Sequence, residues 1–86
     1  MAVRGRVQGV GFRDWVAGRA RALELAGWVR NRSDGSVEML AAGRPEAVER
    51  LIEAARQGPA FARVAELQVE DADEEVPAGF VRRPTL

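Results

Sequence analysis

The 86-residue sequence contains no cysteine and no histidine, and all 13 of its basic residues are arginine. Without cysteine there is no disulfide bond, no thiolate nucleophile and no cysteine-ligated zinc. Without histidine there is no imidazole base and no serine–histidine pair. The lack of lysine removes the lysine of a Walker phosphate loop and the amine of a Schiff base. Any chemistry that the chain performs must therefore use arginine, carboxylate, amide or backbone groups.

The length predicts a single small domain, residues 1–86, and a hydrophobic fraction of 47% is ordinary for a globular protein. No apolar run is long enough to span a membrane, and Met1 to Arg6 contains two arginines rather than a signal-peptide core. The carboxylates lack the spacing of a calcium loop. We therefore expect a soluble, cytoplasmic protein that has no membrane partner and needs no organic cofactor, whereas a metal site built from carboxylates stays open at this point.

The zero net charge of the chain conceals an uneven distribution. Residues 1–32 carry 7 arginines and 2 acidic residues, a charge of +5, and residues 33–86 carry the compensating −5. A basic segment favours an anionic ligand, either a phosphate group or a nucleic acid. The acidic remainder argues against broad contact with nucleic acid.

The spacing of apolar residues predicts the order strand, helix, strand, strand, helix, strand. The predicted strands cover residues 3–7, 27–32, 37–41, 65–70 and a short 80–81, and the helices run from Phe12 to near Gly27 and from Pro45 to Gly58. The Asp34-Gly35 turn predicts a hairpin between the second and third strands. This order is the ferredoxin-like βαββαβ arrangement. We expect an α+β sandwich with a mostly antiparallel sheet of four to five strands and two helices on one face.

The segment GRVQGVGFR, residues 5–13, joins the first strand to the first helix. Glycines allow backbone N–H groups to turn towards an oxyanion, and a helix N-terminus adds a favourable dipole. Arg13 lies in the first helical turn, from which its guanidinium can bind two phosphate oxygens. The spacing is neither a Walker A motif nor a complete GxGxxG motif, because position 14 is aspartate. By spacing alone, a tight strand-to-helix connection with a surface arginine remains an alternative.

Asn31 and Trp28 occupy opposite faces of the predicted second strand. Asn31 shares the face of Val29, where its amide could hold a water next to a bound phosphate; alternatively, it begins the following turn and bonds local backbone. Trp28 lies between Arg30 and Arg32 and could stack a base of single-stranded nucleic acid. We favour the purely structural interpretation, in which Trp28 is partly exposed and covered by arginine side chains.

Taken together, these residues resemble the acylphosphatase family. GRVQGVGFR (residues 5–13) is similar to the first signature of that family, and GWVRN (27–31) followed by DGSVE (34–38) is similar to the second. The two segments are one helix apart, as in the family, and the resemblance continues to the Phe80-Val81-Arg82 ending.

The resemblance implies a metal-independent hydrolase that converts acyl phosphates into a carboxylate and inorganic phosphate without a phosphoenzyme. It implies that Arg13 binds the phosphoryl group and that Asn31 orients the attacking water. It also implies that backbone N–H groups of the loop bind phosphate, namely those of Gln8, Gly9, Val10, Gly11 and Phe12. The expected partners are a small acyl phosphate and inorganic phosphate, with no nucleic acid, and the expected state is a monomer.

The chain departs from the family pattern at two positions. Only Met1 to Arg4 precede the loop, where the family usually has several more residues, although the first strand is expected to be central in this fold. Glu24 also stands where family members often have a glycine that suits a left-handed helix end. If Glu24 must adopt a positive φ, we expect it to cost about 1 kcal/mol.

Three other functions stay open. A non-catalytic acylphosphatase-like domain, such as occurs in large carbamoyl-transfer proteins of hydrogenase maturation, would keep Arg13 and Asn31. An RNA-binding module on the same fold would need exposed aromatic residues on the sheet. A small-molecule-binding regulatory domain would usually form an oligomer.

Overall fold

The computed structural model describes all residues, 1–86. Its elements, in chain order, are β1 (Ala2–Arg6), α1 (Phe12–Ala22), β2 (Ala26–Asn31), β3 (Val37–Ala42), α2 (Pro45–Gln57), β4 (Arg63–Gln68) and β5 (Phe80–Arg82). The predicted α+β order is therefore confirmed, and the short fifth strand is present. Neither helix is long and apolar enough to cross a membrane.

The five strands form one sheet in the order β4-β1-β3-β2-β5. Four strands pair antiparallel, and only the β2–β5 pair is parallel. The first strand is interior to the sheet, as expected, and the Met39 N–H extends its pairing by donating to the Met1 carbonyl at 2.9 Å. Because β4 and β5 lie at opposite edges, residues 69–79 must cross from one side of the sheet to the other.

Both helices cover the same face of the sheet and share one core with it. On α1, Phe12, Val16 and Ala20 are buried at helical spacing and face the sheet. The core residues are Val3, Val7, Phe12, Val16, Ala17, Ala20, Leu25, Val29, Val37, Met39, Ala47, Leu51, Ala55 and Phe80. The strand residues of this set show which face of the sheet is buried. Asn31 lies two residues after Val29 in β2 and therefore on the same face.

Strand β4 does not alternate as predicted. The sequence indicates Ala65, Leu67 and Val69 as its buried face, but Ala65 is exposed and the half-buried residues are Val64 and Leu67. The cause is a β-bulge, because Arg4 pairs with Glu66 whereas the next residue, Gly5, pairs with Val64. The extra residue on β4 shifts the side-chain alternation by one position.

Helix α1 ends at Ala22, earlier than the predicted stop near Gly27, because the chain reverses at Glu24. Glu24 has φ 59, the left-handed conformation. The Glu24 N–H donates to the Arg21 carbonyl at 3.0 Å, and the Leu25 N–H donates to the Ala20 carbonyl at 2.9 Å. These two bonds form a Schellman motif with glutamate at the position that glycine usually occupies. Glu24 thus adopts the positive φ on which the expected cost depends.

Candidate active site

The loop between β1 and α1 is anchored in the core at both ends, since Val7 and Phe12 are each only 1% exposed. Between them, Gly9 and Gly11 adopt φ values of 75 and 76, a conformation that side-chain-bearing residues avoid. Gly11 is the N-cap of α1 and no side chain caps the helix. The loop therefore directs backbone towards solvent at the positive end of the helix dipole.

The backbone N–H groups of residues 8–14 donate no hydrogen bond within the chain. Seven consecutive free donors are more than an ordinary helix N-terminus leaves unpaired, because the loop adds its own to those of the first turn. Such an array is suited to binding an anion with several oxygen atoms.

Arg13 and Asn31 line the same pocket, which has a volume of about 80 Å³. The residues around this pocket are Val7, Gly9, Gly11, Phe12, Arg13, Asp14, Asn31 and Arg82. Arg13 is half-buried in the first turn of α1, and Asn31 is the last residue of β2. The fold thus unites the two sequence signatures, although 17 residues lie between these two positions.

The side chain of Asn31 has a polar atom without a partner. Its Oδ1 is buried and accepts no hydrogen bond. The alternative that Asn31 begins the turn by bonding local backbone is wrong, because Asp34 has that role. Asp34 Oδ1 accepts hydrogen bonds from the Ser36 N–H at 2.9 Å and from Ser36 Oγ at 2.6 Å. A buried amide oxygen without a partner inside the protein can accept a hydrogen bond from a molecule in the pocket.

Two charged residues of the pocket, Asp14 and Arg82, were not recognised as part of the site from the sequence. Their side chains form an ion pair, which joins the first turn of α1 to β5. In the sequence, an aspartate in the first turn of a helix indicates only a favourable charge at the helix N-terminus. Arg82 reaches the site because β5 pairs in parallel with β2, with Arg82 opposite Val29. No local sequence pattern indicates that pairing.

Gln8 and Val10, both predicted members of the phosphate loop, do not line the pocket. The Val10 side chain packs against the core. The Gln8 side chain points to the β2–β3 hairpin, where its Nε2 donates to the carbonyls of Arg32 at 2.8 Å and Ser36 at 2.9 Å. For both residues, only the backbone N–H remains available to an anion.

Two carboxylates next to the hairpin have pKa values below their usual range. Hydrogen bonds from the side chain and then the backbone of Ser36, with a further contribution from Arg4, lower the pKa of Asp34 to about 2. Burial by itself would raise the pKa of Glu38, but hydrogen bonds and charge from Arg30 and Arg32 outweigh it and lower the pKa. Both carboxylates therefore stay ionised and hold the hairpin in place at neutral pH.

Trp28 is buried rather than partly exposed as predicted, with only 4% of its surface accessible. The guanidinium groups of Arg30 and Arg83 lie 4.6 and 4.9 Å from its ring, and its Nε1 donates to the Glu74 carboxylate at 3.3 Å. Glu74 belongs to the segment that crosses the sheet, a contact without any local sequence signal. A tryptophan covered in this way offers no free ring face on which a base could stack.

Four other surface depressions are larger, at about 460, 410, 290 and 400 Å³. None of them includes the glycine loop, Arg13 or Asn31. The small pocket is the better candidate, because a small anion is selected by convergent donors rather than by volume. No group of three or more His, Cys, Asp or Glu side chains that could hold a metal ion occurs in the structure.

Comparison with known proteins gives consistent matches. A family model described as acylphosphatase matches residues 1–81. The chain is 53% identical over 85 residues to an acylphosphatase of Acidiphilium cryptum, covering 99% of this chain and 93% of that relative. The solved structure of an acylphosphatase from Coxiella burnetii superimposes with a TM-score of 0.90 and 39% identity, covering 95% of this chain and 86% of the other.

The fold also matches part of a much larger protein. T. kodakarensis HypF superimposes with a TM-score of 0.83 and 28% identity, and the match covers 100% of this chain but 12% of HypF. The relative from Acidiphilium cryptum, in contrast, is covered almost completely.

Fold and pocket define a class of protein, a ferredoxin-like α+β domain with a glycine loop of free N–H groups at a strand-to-helix junction. With a family model over nearly the whole chain and about half of the residues identical to a relative of similar length, the chain belongs to the acylphosphatase family. The predicted family and its hydrolase class are confirmed.

Proposed function

We propose that residues 1–86 form a single acylphosphatase domain that hydrolyses the carboxyl–phosphate bond of acyl phosphates. The products are a carboxylate and inorganic phosphate. An acyl phosphate has a good carboxylate leaving group, so the reaction needs no strong acid. The remaining requirement is to position the phosphoryl group and to stabilise its charge in a loose transition state. A chain without cysteine, histidine or lysine can meet that requirement.

In this proposal Arg13 and the loop bind the phosphoryl group. The free N–H groups of residues 8–12 surround its oxygens, and the Arg13 guanidinium forms charge-assisted hydrogen bonds to them. These donors are fixed before substrate arrives, because Val7 and Phe12 anchor the loop in the core. Preorganised donors of this kind stabilise developing charge without a reorganisation cost.

Asn31 holds the attacking water in this proposal. Its Oδ1 accepts a hydrogen bond from that water, whose oxygen forms a bond to phosphorus. The bond between phosphorus and the acyl oxygen breaks, and its electron pair leaves with the carboxylate. The water proton passes to a phosphate oxygen of the substrate, because Asp14, the only carboxylate of the pocket, is paired with Arg82.

The observation that carries the proposal is the convergence in one 80 Å³ pocket of the glycine loop, Arg13 and Asn31. The unpartnered Asn31 Oδ1 strengthens it, since a buried polar atom without a partner is costly unless a ligand or water satisfies it. All of these groups come from one chain, so the proposed site is complete within a monomer.

Release of inorganic phosphate from acetyl phosphate, measured in EDTA, tests the proposal. We expect turnover in EDTA, complete loss in Arg13→Ala, and normal turnover in Arg56→Ala, which removes an exposed arginine of α2. Undiminished turnover in Arg13→Ala would contradict the assigned role. Phosphate binding without turnover in the unmodified protein would instead support the non-catalytic domain. Activity lost in EDTA and restored by a divalent ion would contradict metal independence.

A further inference from the structure

The Gln8 side chain bridges the two parts of the chain that form the pocket. Its backbone belongs to the glycine loop, but its amide nitrogen donates to the carbonyls of Arg32 and Ser36, 24 and 28 residues away in sequence. Arg32 directly follows Asn31. The contact is part-buried, so water competes for it only weakly.

The two carbonyls that Gln8 contacts are also those that close the hairpin. The Ser36 carbonyl accepts the Arg32 N–H at 2.9 Å, and the Arg32 carbonyl accepts the Gly35 N–H at 3.1 Å. A carbonyl oxygen has two lone pairs, so each of them accepts one bond from the turn and one from Gln8. Both N–H groups of the Gln8 amide are used in this way. The side chain is therefore held at two points on a turn that Asp34 already makes rigid.

The location of this contact matters because the pocket is assembled from two separate segments. The glycine loop and Arg13 are on one segment, and Asn31 is on the other, at the end of β2. No other side-chain hydrogen bond joins the loop, residues 7–11, to the hairpin. Gln8 is therefore the side chain that ties the loop directly to the hairpin that follows Asn31.

We propose that Gln8 is a positioning residue that fixes Asn31 relative to the phosphate-binding loop through its two hydrogen bonds to the hairpin. The inference rests on the proposed function, since Asn31 is the residue through which Gln8 acts. Phosphate binding uses the loop and Arg13, which lie on one segment, and depends little on Gln8. The chemical step uses both segments and depends on it strongly.

Kinetics of Gln8→Met test this, since methionine keeps the side-chain length but has no donor. A misplacement of about 1 Å can cost up to about 10²-fold in rate, and we expect kcat to fall roughly tenfold. The inhibition constant of inorganic phosphate should change less than about twofold, because the loop donors remain. Gln68→Met is the matched control, because the Gln68 side chain bonds only the exposed Glu66 and lies outside the pocket.

A double-mutant cycle separates positioning from a general structural role. In the Asn31→Ala background, Gln8→Met should cause no further loss of kcat, because the residue that it positions is absent. An equal loss in both backgrounds, or unchanged kcat in Gln8→Met, would overturn the inference. A rise in the phosphate inhibition constant as large as the fall in kcat would also overturn it, because Gln8 would then act on the loop itself.

Hydrogen exchange with inorganic phosphate gives a readout that does not depend on activity. In the unmodified protein, phosphate should slow exchange in the loop, residues 8–14, and in the hairpin, residues 31–36. In Gln8→Met the loop should keep this protection and the hairpin should lose it. Hairpin protection that persists in Gln8→Met would overturn the inference, whether or not Asn31 proves to be catalytic. Failure of Asn31→Ala to lower kcat would contradict the proposed function alone.

Discussion

The guanidinium of Arg82 and the carboxylate of Asp14 form an ion pair at the pocket that also contains Arg13. A carboxylate next to an anion-binding loop repels the ligand unless a cation compensates it. Arg82 supplies that compensation from the neighbouring strand β5. With the charge of Asp14 balanced in this way, Arg13 and the free N–H groups leave the pocket with a net positive potential for phosphate. Both side chains are well exposed, which limits the size of the effect.

Substitution of Arg82 by glutamine should therefore weaken phosphate binding. With Asp14 left uncompensated, we expect the dissociation constant of inorganic phosphate to rise about three- to fivefold, as exposed charge pairs are worth up to about 1 kcal/mol. Isothermal titration calorimetry at low and high salt measures this dissociation constant. The difference between the variant and the unmodified protein should shrink at high salt, because salt screens the charges.

The partner substitution Asp14→Asn discriminates compensation from direct contact. In the Asp14→Asn background, Arg82→Gln should have little effect on phosphate affinity, because no carboxylate remains to be neutralised. The same loss in both backgrounds would mean that Arg82 contacts the phosphate itself.

Asn31→Ala should lower kcat and leave phosphate affinity largely intact. Loss of one preorganised polar group that acts in the transition state costs about 10²-fold or more in kcat. The inhibition constant of inorganic phosphate, which reports the loop and Arg13, should stay within about twofold of the unmodified value. Steady-state kinetics with acetyl phosphate measures both quantities. A variant that no longer binds phosphate would assign Asn31 to binding instead.

The parts of this site that the sequence predicts are those that depend on neighbours in the chain. The glycines of the loop, Arg13 in the first helical turn and the Asp34-Gly35 turn all lie within segments of a few residues. Local conformation and periodicity determine them, and the structure brings them into the expected elements. Only the resemblance to a family predicted that the loop and Asn31 act together in one site.

The parts that the sequence does not predict depend on pairing between distant segments. Arg82 joins the pocket only because β5 lies parallel to β2, and Trp28 is buried partly by Glu74 from the segment that crosses the sheet. The bulge opposite Arg4 and Gly5 reverses the alternation of β4, which no pattern within β4 indicates. Gln8 lies within the glycine loop motif, but its side chain bonds carbonyls of the β2–β3 hairpin, 24 and 28 residues away, and no local pattern indicates that contact.

Stability should depend on pH through Asp34. Its pKa falls from the usual 3.8 to about 2 in the folded protein, chiefly because the side chain of Ser36 donates a hydrogen bond to the carboxylate. The folded state thus binds this proton less readily than the unfolded chain does. The stabilisation is complete above the unfolded pKa and is lost as pH falls towards the folded value. Urea unfolding should therefore show a decline in the free energy of unfolding between about pH 4 and pH 2.

The variant Asp34→Asn tests that assignment. It should be less stable than the unmodified protein at pH 7 and should show a smaller decline at acid pH. Asp73→Asn changes an exposed aspartate without a side-chain hydrogen bond and should retain the original pH dependence. An unaltered acid decline in Asp34→Asn would assign it to other carboxylates, of which Glu38 is the first candidate.

Glu24→Gly should stabilise the protein without changing its activity. Glu24 closes α1 with φ 59, a conformation that costs a side-chain-bearing residue about 1–2 kcal/mol and glycine nothing. Glycine loses more backbone entropy on folding, so a net gain of about 1 kcal/mol, or roughly 4–8 °C in Tm, remains. Glu24→Ala is the control, because it removes the unfavourable charge at the helix C-terminus but keeps the strained φ. Thermal unfolding should show the larger gain for glycine, and an equal gain in both variants would mean that charge rather than conformation limits stability at this helix end.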